Sequence, residues 1–151
     1  MTPERLGTRT ARRRAAGETE TAARVDIQSD RDILAARQNG RALAGSLGFT
    51  STNLTVVAAV ISELARNILV YAKRGELFVG IVGTNGRQGI EIIARDRGPG
   101  IVDVDRAMRV GYSTSGNLGL GLPGVRRLVD EFEIESKVGR GTTVTARKWK
   151  S

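Results

Sequence analysis

Gly89-Ile90-Glu91-Ile92-Ile93-Ala94-Arg95-Asp96-Arg97-Gly98-Pro99-Gly100 decides the fold. Its first eight residues carry the alternating apolar pattern of a strand, and Gly98, Pro99 and Gly100 stop it. A carboxylate at a strand end, with glycines behind it that let the backbone turn sharply, suits hydrogen bonding to an exocyclic amine such as that of adenine. The same residues also read as an Asp opening a D-x-G-P-G turn.

Working upstream, Glu76 to Val82 reads as a second strand, joined to Gly89–Asp96 by a turn at Asn85-Gly86, and the two are most simply a hairpin. Before it, a helix runs from the Thr/Ser cluster at 50–52 to about Tyr71. Its inward stripe is Leu54, Val57, Ala58, Ile61, Leu64, Ala65 and Ile68, which leaves Glu63 and Asn67 on a different face. Side chains four apart lie one above the other, so this pair can hold a hydrated Mg²⁺ and orient an attacking hydroxyl. Taken alone, the pair is read more simply as a solvated helix face. An earlier helix is capped by Ser29 or Asp30, buries Ile33, Ala36, Gly40, Leu43, Ala44 and Leu47, and ends at Gly48. A short strand, Val25-Asp26-Ile27, precedes it.

Downstream, Asp103 is expected to cap a short helix reaching Arg109, and Gly111 to Leu118 forms a polar, glycine-rich lid. A third helix starts near Gly121 and continues through Val125, Leu128 and Val129. The glycines from 116 to 121 leave backbone N–H groups at its start, where the dipole favours phosphate, although a flexible loop has the same composition. The spacing matches neither a Walker A loop nor a Rossmann fingerprint. Two closing strands, Phe132–Val138 and Thr142–Trp149, flank Gly139-Arg140-Gly141. The sum is an α+β, two-layer α/β sandwich: a mixed, mostly antiparallel sheet with helices packed on one face.

At 151 residues the chain has room for one domain. The sequence contains no Cys and no His, which removes disulfides, thiolate and imidazole ligands and imidazole bases. The longest uninterrupted apolar run, Val56 to Ile61, falls short of the roughly 20 residues a spanning helix needs. A cytoplasmic protein that does not enter a membrane is therefore expected. The net charge is +8. Part of it lies in residues 1–24, where Arg5, Arg9, Arg12, Arg13, Arg14 and Arg24 sit among Thr, Ala and Glu. Such a segment buries too little to order itself. The expectation is a basic, disordered tail at 1–24 and a folded domain at 25–151, a polyanion-binding arm being the other reading of the tail.

Glu63-Leu64-Ala65-Arg66-Asn67, Asp96-Arg97-Gly98-Pro99-Gly100, Gly119-Leu120-Gly121-Leu122 and Gly139-Arg140-Gly141-Thr142 resemble the N, G1, G2 and G3 boxes of the Bergerat-fold (GHKL) ATPases. The likeness spans about Val25 to Trp149. Ile33-Leu34-Ala35-Ala36-Arg37-Gln38, Gly111-Tyr112-Ser113-Thr114-Ser115-Gly116 and Gly121-Leu122-Pro123-Gly124-Val125 are similar to stretches of one branch, the small bacterial serine kinases of stressosome and sigma-factor partner switching.

The resemblance implies ATP and Mg²⁺ as cofactors and a STAS-domain antagonist as the protein substrate, with a phosphatase or a sigma factor as a further partner. It also implies roles. Asn67 would ligate Mg²⁺, and Glu63 would orient or deprotonate the acceptor serine. Asp96 would accept from the adenine amine, assisted by Thr142. Gly98 and Gly100 would permit close backbone approach, and Gly116, Gly119 and Gly121 would cradle phosphate. One departure stands out: no Lys or Arg lies between Gly111 and Gly121. A cation for the γ-phosphate must come from elsewhere, and Arg109, Arg126 and Arg127 are the nearest in sequence, with nothing to choose among them.

Two rival classes are separable. An anti-sigma factor of the same fold would hold a sigma factor directly, which a pull-down distinguishes from capture of a STAS protein. A nucleic-acid-binding protein should interleave aromatics with its basic residues. Aromatics are only 4% of this chain, and none lies in the Arg-rich tail. The lack of His argues against a kinase that phosphorylates its own histidine.

Overall fold

The computed structural model describes residues 18–109 and 121–150. In chain order the elements are β1 (Glu18–Ile27), α1 (Asp30–Ser46), α2 (Ser51–Ala72), β2 (Gly75–Thr84), β3 (Arg87–Asp96), α3 (Val104–Ala107), α4 (Gly121–Leu128), β4 (Glu131–Lys137) and β5 (Gly141–Trp149). The strands form one sheet in the order β1-β2-β3-β5-β4. Every pairing in it is antiparallel, so the expected mixed sheet is corrected to an antiparallel one.

The hairpin at the centre is as expected. β2 and β3 pair from Gly75↔Asp96 to Thr84↔Arg87, and Asn85 and Gly86 both take positive φ, 47° and 83°. That is the backbone a two-residue turn needs to match strand twist. β1 differs from expectation. It begins at Glu18 rather than Val25, and Thr19, Glu20 and Thr21 pair with Val82, Ile81 and Gly80. Its register shifts between Thr21 and Ala23, a bulge on an edge strand. This half of β1 is held by ladder hydrogen bonds rather than by large apolar side chains, so hydrophobic pattern does not reveal it. Within the expected tail, residues 18–24 are thus strand, and 1–17 lie outside the described residues.

The capping signals hold. The carboxylate of Asp32 accepts from the Gln28 and Ser29 N–H groups, at 2.8 and 3.1 Å, and fixes the start of α1. Gly48, at φ +85°, ends that turn region. The Thr50 hydroxyl accepts from the Asn53 N–H at 3.2 Å and caps α2. Asp103 caps α3 through the Arg106 N–H at 3.1 Å.

α1 and α2 pack on one face of the sheet. Val57, Val60, Ile61, Leu64, Ala65 and Ile68 of α2 meet Leu77, Val79, Ile90, Ile92, Ala94, Val144 and Ala146 in a single core. Each large aliphatic group fully buried there contributes about 1.5–3 kcal/mol. Gly40 lets α1 approach closely, because a Cβ at that position would strike Ile61. By length and composition α2 is apolar enough to cross a bilayer, but half of its most apolar window is buried inside the protein. It is the core helix of the domain. On the opposite face of the sheet, buried Arg147 donates to Glu91 Oε2 at 2.8 Å and ties β5 to β3.

Candidate nucleotide site

α2 forms one wall of the site. Its stripe at three- and four-residue steps faces the sheet, which turns Glu63 toward the start of α4 instead of into the apolar core. Glu63 is buried, with only 8% of its side chain exposed, so the solvated-face reading fails for it. Oε1 accepts from Arg66 Nη1 at 2.9 Å, one turn along the helix. Oε2 accepts from the Gly121 N–H at 3.3 Å, at the first residue of α4. Asn67 stands one turn beyond Glu63 on the same side of α2, half-buried. The N-box residues and Gly121 are thereby brought to one place.

The far end of α2 meets the loop after β3. A Cβ at Gly98 would lie 2.6 Å from Ala72 Cβ, so only glycine allows this loop to close on the helix. From Glu63 to Ala72 the helix rises about 13 Å, which sets the spacing between the two ends of the site.

Asp96 is the last residue of β3. Its Oδ1 accepts from the Gly98 N–H at 2.8 Å. Burial pushes its carboxyl above the ordinary value of 3.8, against hydrogen bonds from the backbone of Gly98 and Thr142 that pull it down. The carboxylate is thus fixed in direction and partly stripped of water, as recognition of an amine requires.

The loop 96–101 and the turn 139–141 form one unit. Gly139 N–H donates to the Pro99 carbonyl at 2.8 Å. Ile101 N–H donates to Ser136 Oγ at 2.7 Å, and Ser136 Oγ shares a 2.8 Å hydrogen bond with Thr142 Oγ1. Gly100 has φ +79° and faces the Lys137 carbonyl, and Gly141 rests on the backbone of Asp96 and Arg97. Thr142 pairs with Asp96 across the β3–β5 ladder, and its backbone hydrogen-bonds the Asp96 carboxyl while its hydroxyl meets Ser136.

Gly116, Gly119 and the Gly111–Leu118 stretch lie outside the described residues. Arg109, Arg126 and Arg127 are exposed. Two residues were not singled out from sequence. Ser136 is found only through strand register, as the partner of Thr142. Arg66 was legible in principle, since it stands three residues from Glu63 on a helix. Among the described residues no group of three or more acidic side chains could hold a metal. The half-buried amide of Asn67 fits a hydrated Mg²⁺ instead, an ion that commonly takes one or two protein oxygens and completes its shell with water and phosphate.

Comparison with known proteins agrees with this geometry. The family described as histidine kinase-, DNA gyrase B-, and HSP90-like ATPase matches residues 53–150. The serine/threonine-protein kinase RsbT of Bacillus subtilis is 50% identical over 125 residues, covering 83% of this chain and 94% of that kinase. Anti-sigma F factors of Geobacillus thermodenitrificans and Priestia megaterium are 30% and 33% identical, over 75% and 66% of this chain and 81% and 71% of their own. The crystal structure of the RsbU and RsbW domains of a Mycobacterium tuberculosis protein shares the fold, with TM-score 0.54 at 20% identity, over 84% of this chain and 32% of that one. The chain belongs to the histidine kinase-, DNA gyrase B- and HSP90-like ATPases, on their protein serine/threonine kinase branch.

Proposed function

We propose that this kinase works in the cytoplasm and transfers the γ-phosphoryl group of ATP, with Mg²⁺, to a serine of a small STAS-domain antagonist, switching its binding partners as a result. Asp96 accepts from the adenine amine, with Thr142 beside it. Gly98 and Gly100 let the backbone approach the base, and the Gly121 N–H faces the phosphates. Asn67 holds Mg²⁺, which supplies charge neutralisation across the phosphates when bound. Glu63 takes the proton of the acceptor serine. The serine oxygen forms a bond to the γ-phosphorus, the bond from that phosphorus to the bridging oxygen breaks, and its electron pair leaves on ADP. Such a reaction asks mainly for positioning and charge, which this modest set of groups supplies.

The observation that carries this reading is the contact of Glu63 with Gly121, with Asn67 one turn away. It supports the reading because the Glu63 carboxylate, the Asn67 amide one turn on and the Gly121 N–H then share the C-terminal half of α2, with Asp96 beyond the end of that helix at Ala72. The STAS substrate rests on the 50% identity to RsbT and on the subgroup stretches in the sequence. The anti-sigma F relatives favour one other reading, direct binding of a sigma factor. Incubation with labelled ATP, Mg²⁺ and a candidate STAS protein tests the first: label on the STAS serine is expected. Recovery of a sigma factor in a pull-down, with no labelled STAS protein, would support the second.

A further inference from the structure

We infer that Arg66 is the cation that serves the γ-phosphoryl group, and that its ion pair with Glu63 keeps the base engaged until a triphosphate draws the guanidinium away. This rests on the nucleotide-site reading above. The residues from Gly111 to Gly121 carry no Lys or Arg, so the positive charge must enter from a neighbouring element. Among the described residues, Arg66 is the basic residue whose guanidinium touches a site carboxylate, 2.9 Å from Glu63 Oε1. It also directly precedes Asn67 on α2.

The two members of the pair are unequally held. The Glu63 side chain is 8% exposed and the Arg66 side chain 39%, so the carboxylate is fixed while the guanidinium reaches the solvent edge, from which it can turn. Both oxygens of Glu63 are occupied, Oε1 by Arg66 and Oε2 by the Gly121 N–H.

A triphosphate competes for both donors, because its terminal oxygens carry more charge than one carboxylate and present the paired acceptors that guanidinium favours. Drawing Arg66 across releases Oε1 to accept the serine proton. ADP lacks the terminal group and leaves the ion pair in place. Arg66 therefore makes the site selective for ATP over ADP and couples release of the base to the presence of the group to be transferred.

Titration calorimetry on the full chain with Mg²⁺, using ADP and a non-hydrolysable ATP analogue, tests this. Arg66→Gln leaves a donor for Glu63 but removes the charge. It is expected to lose about tenfold or more in affinity for the analogue while its ADP affinity stays within about twofold. Arg66→Lys is expected to recover part of the preference. If Arg66 merely props Glu63, both variants keep the wild-type ratio of the two affinities, and the proposal is overturned. Asp96→Asn, which should weaken both nucleotides alike, keeps the two failures distinct: a wild-type chain that binds neither nucleotide removes the site reading itself.

Discussion

Glu63 on α2 and Gly121 at the start of α4 are joined by a 3.3 Å hydrogen bond across 58 residues of sequence. The carboxylate is buried and the donor is a backbone group at a helix start, so the contact ties α2 to the first residue of α4.

Glu63→Gln preserves shape but removes the proton acceptor, and its single amide oxygen can accept from only one of the two donors, Arg66 Nη1 and the Gly121 N–H. Phosphoryl transfer to serine should fall by about 10²- to 10⁴-fold, while nucleotide affinity changes little. Single-turnover transfer measured beside calorimetry separates the two, and an unchanged rate would exclude Glu63 as the base.

Asp96→Asn should weaken ATP binding about ten- to a hundredfold, the usual range for a lost hydrogen bond to a charged group. Its effect on the ligand-free protein runs the other way. Burial raises the Asp96 carboxyl above 3.8, so the folded state holds this proton more tightly than the unfolded chain. The stability from that proton is complete below about pH 3.8 and is lost as pH rises through the folded value. At neutral pH the Asn variant should melt no lower than wild type, and any advantage should vanish in acid. A marked fall in its neutral melting temperature would contradict the burial argument.

Ser136→Ala removes the hydroxyl that accepts from Ile101 N–H and meets Thr142 Oγ1. Leaving these partners unsatisfied should cost about 1–3 kcal/mol in urea unfolding and should lower ATP affinity several-fold through a displaced Thr142. An effect on stability alone would show that Thr142 needs no such support.

Glu91→Ala leaves Arg147 buried without the carboxylate that pairs with it at 2.8 Å. Arg147 keeps Glu131 at 3.3 Å, so the cost should fall below the roughly 3–5 kcal/mol of a buried pair broken outright, measurable as a shifted denaturation midpoint.

Much of this arrangement was legible in the residues. Periodicity placed α1 and α2, because each has one continuous apolar stripe and a polar cap at Ser29 or Thr50. The Asn85-Gly86 turn gave the central hairpin, since few other pairs accept that backbone. The end of β1, Val25 to Ile27, was legible, but its first part escaped, as Glu18 to Ala22 offers no apolar alternation and is held by pairing with β2 alone. Truncation before Val25 therefore removes strand as well as tail, and a lower melting temperature is expected where sequence composition suggested none. The box residues were identified one by one, but their joining was not. That Gly98 closes on Ala72, or that Ser136 bridges Ile101 and Thr142, depends on sheet register and loop docking, which local pattern does not encode.

A crystal structure of the chain with Mg²⁺ and a non-hydrolysable ATP analogue tests the central claim most directly. The adenine amine is expected within hydrogen-bonding distance of the Asp96 carboxylate, with the phosphates at the Gly121 N–H and the metal on Asn67. A nucleotide bound elsewhere, or one whose base and phosphates lie away from Asp96 and Asn67, would contradict it.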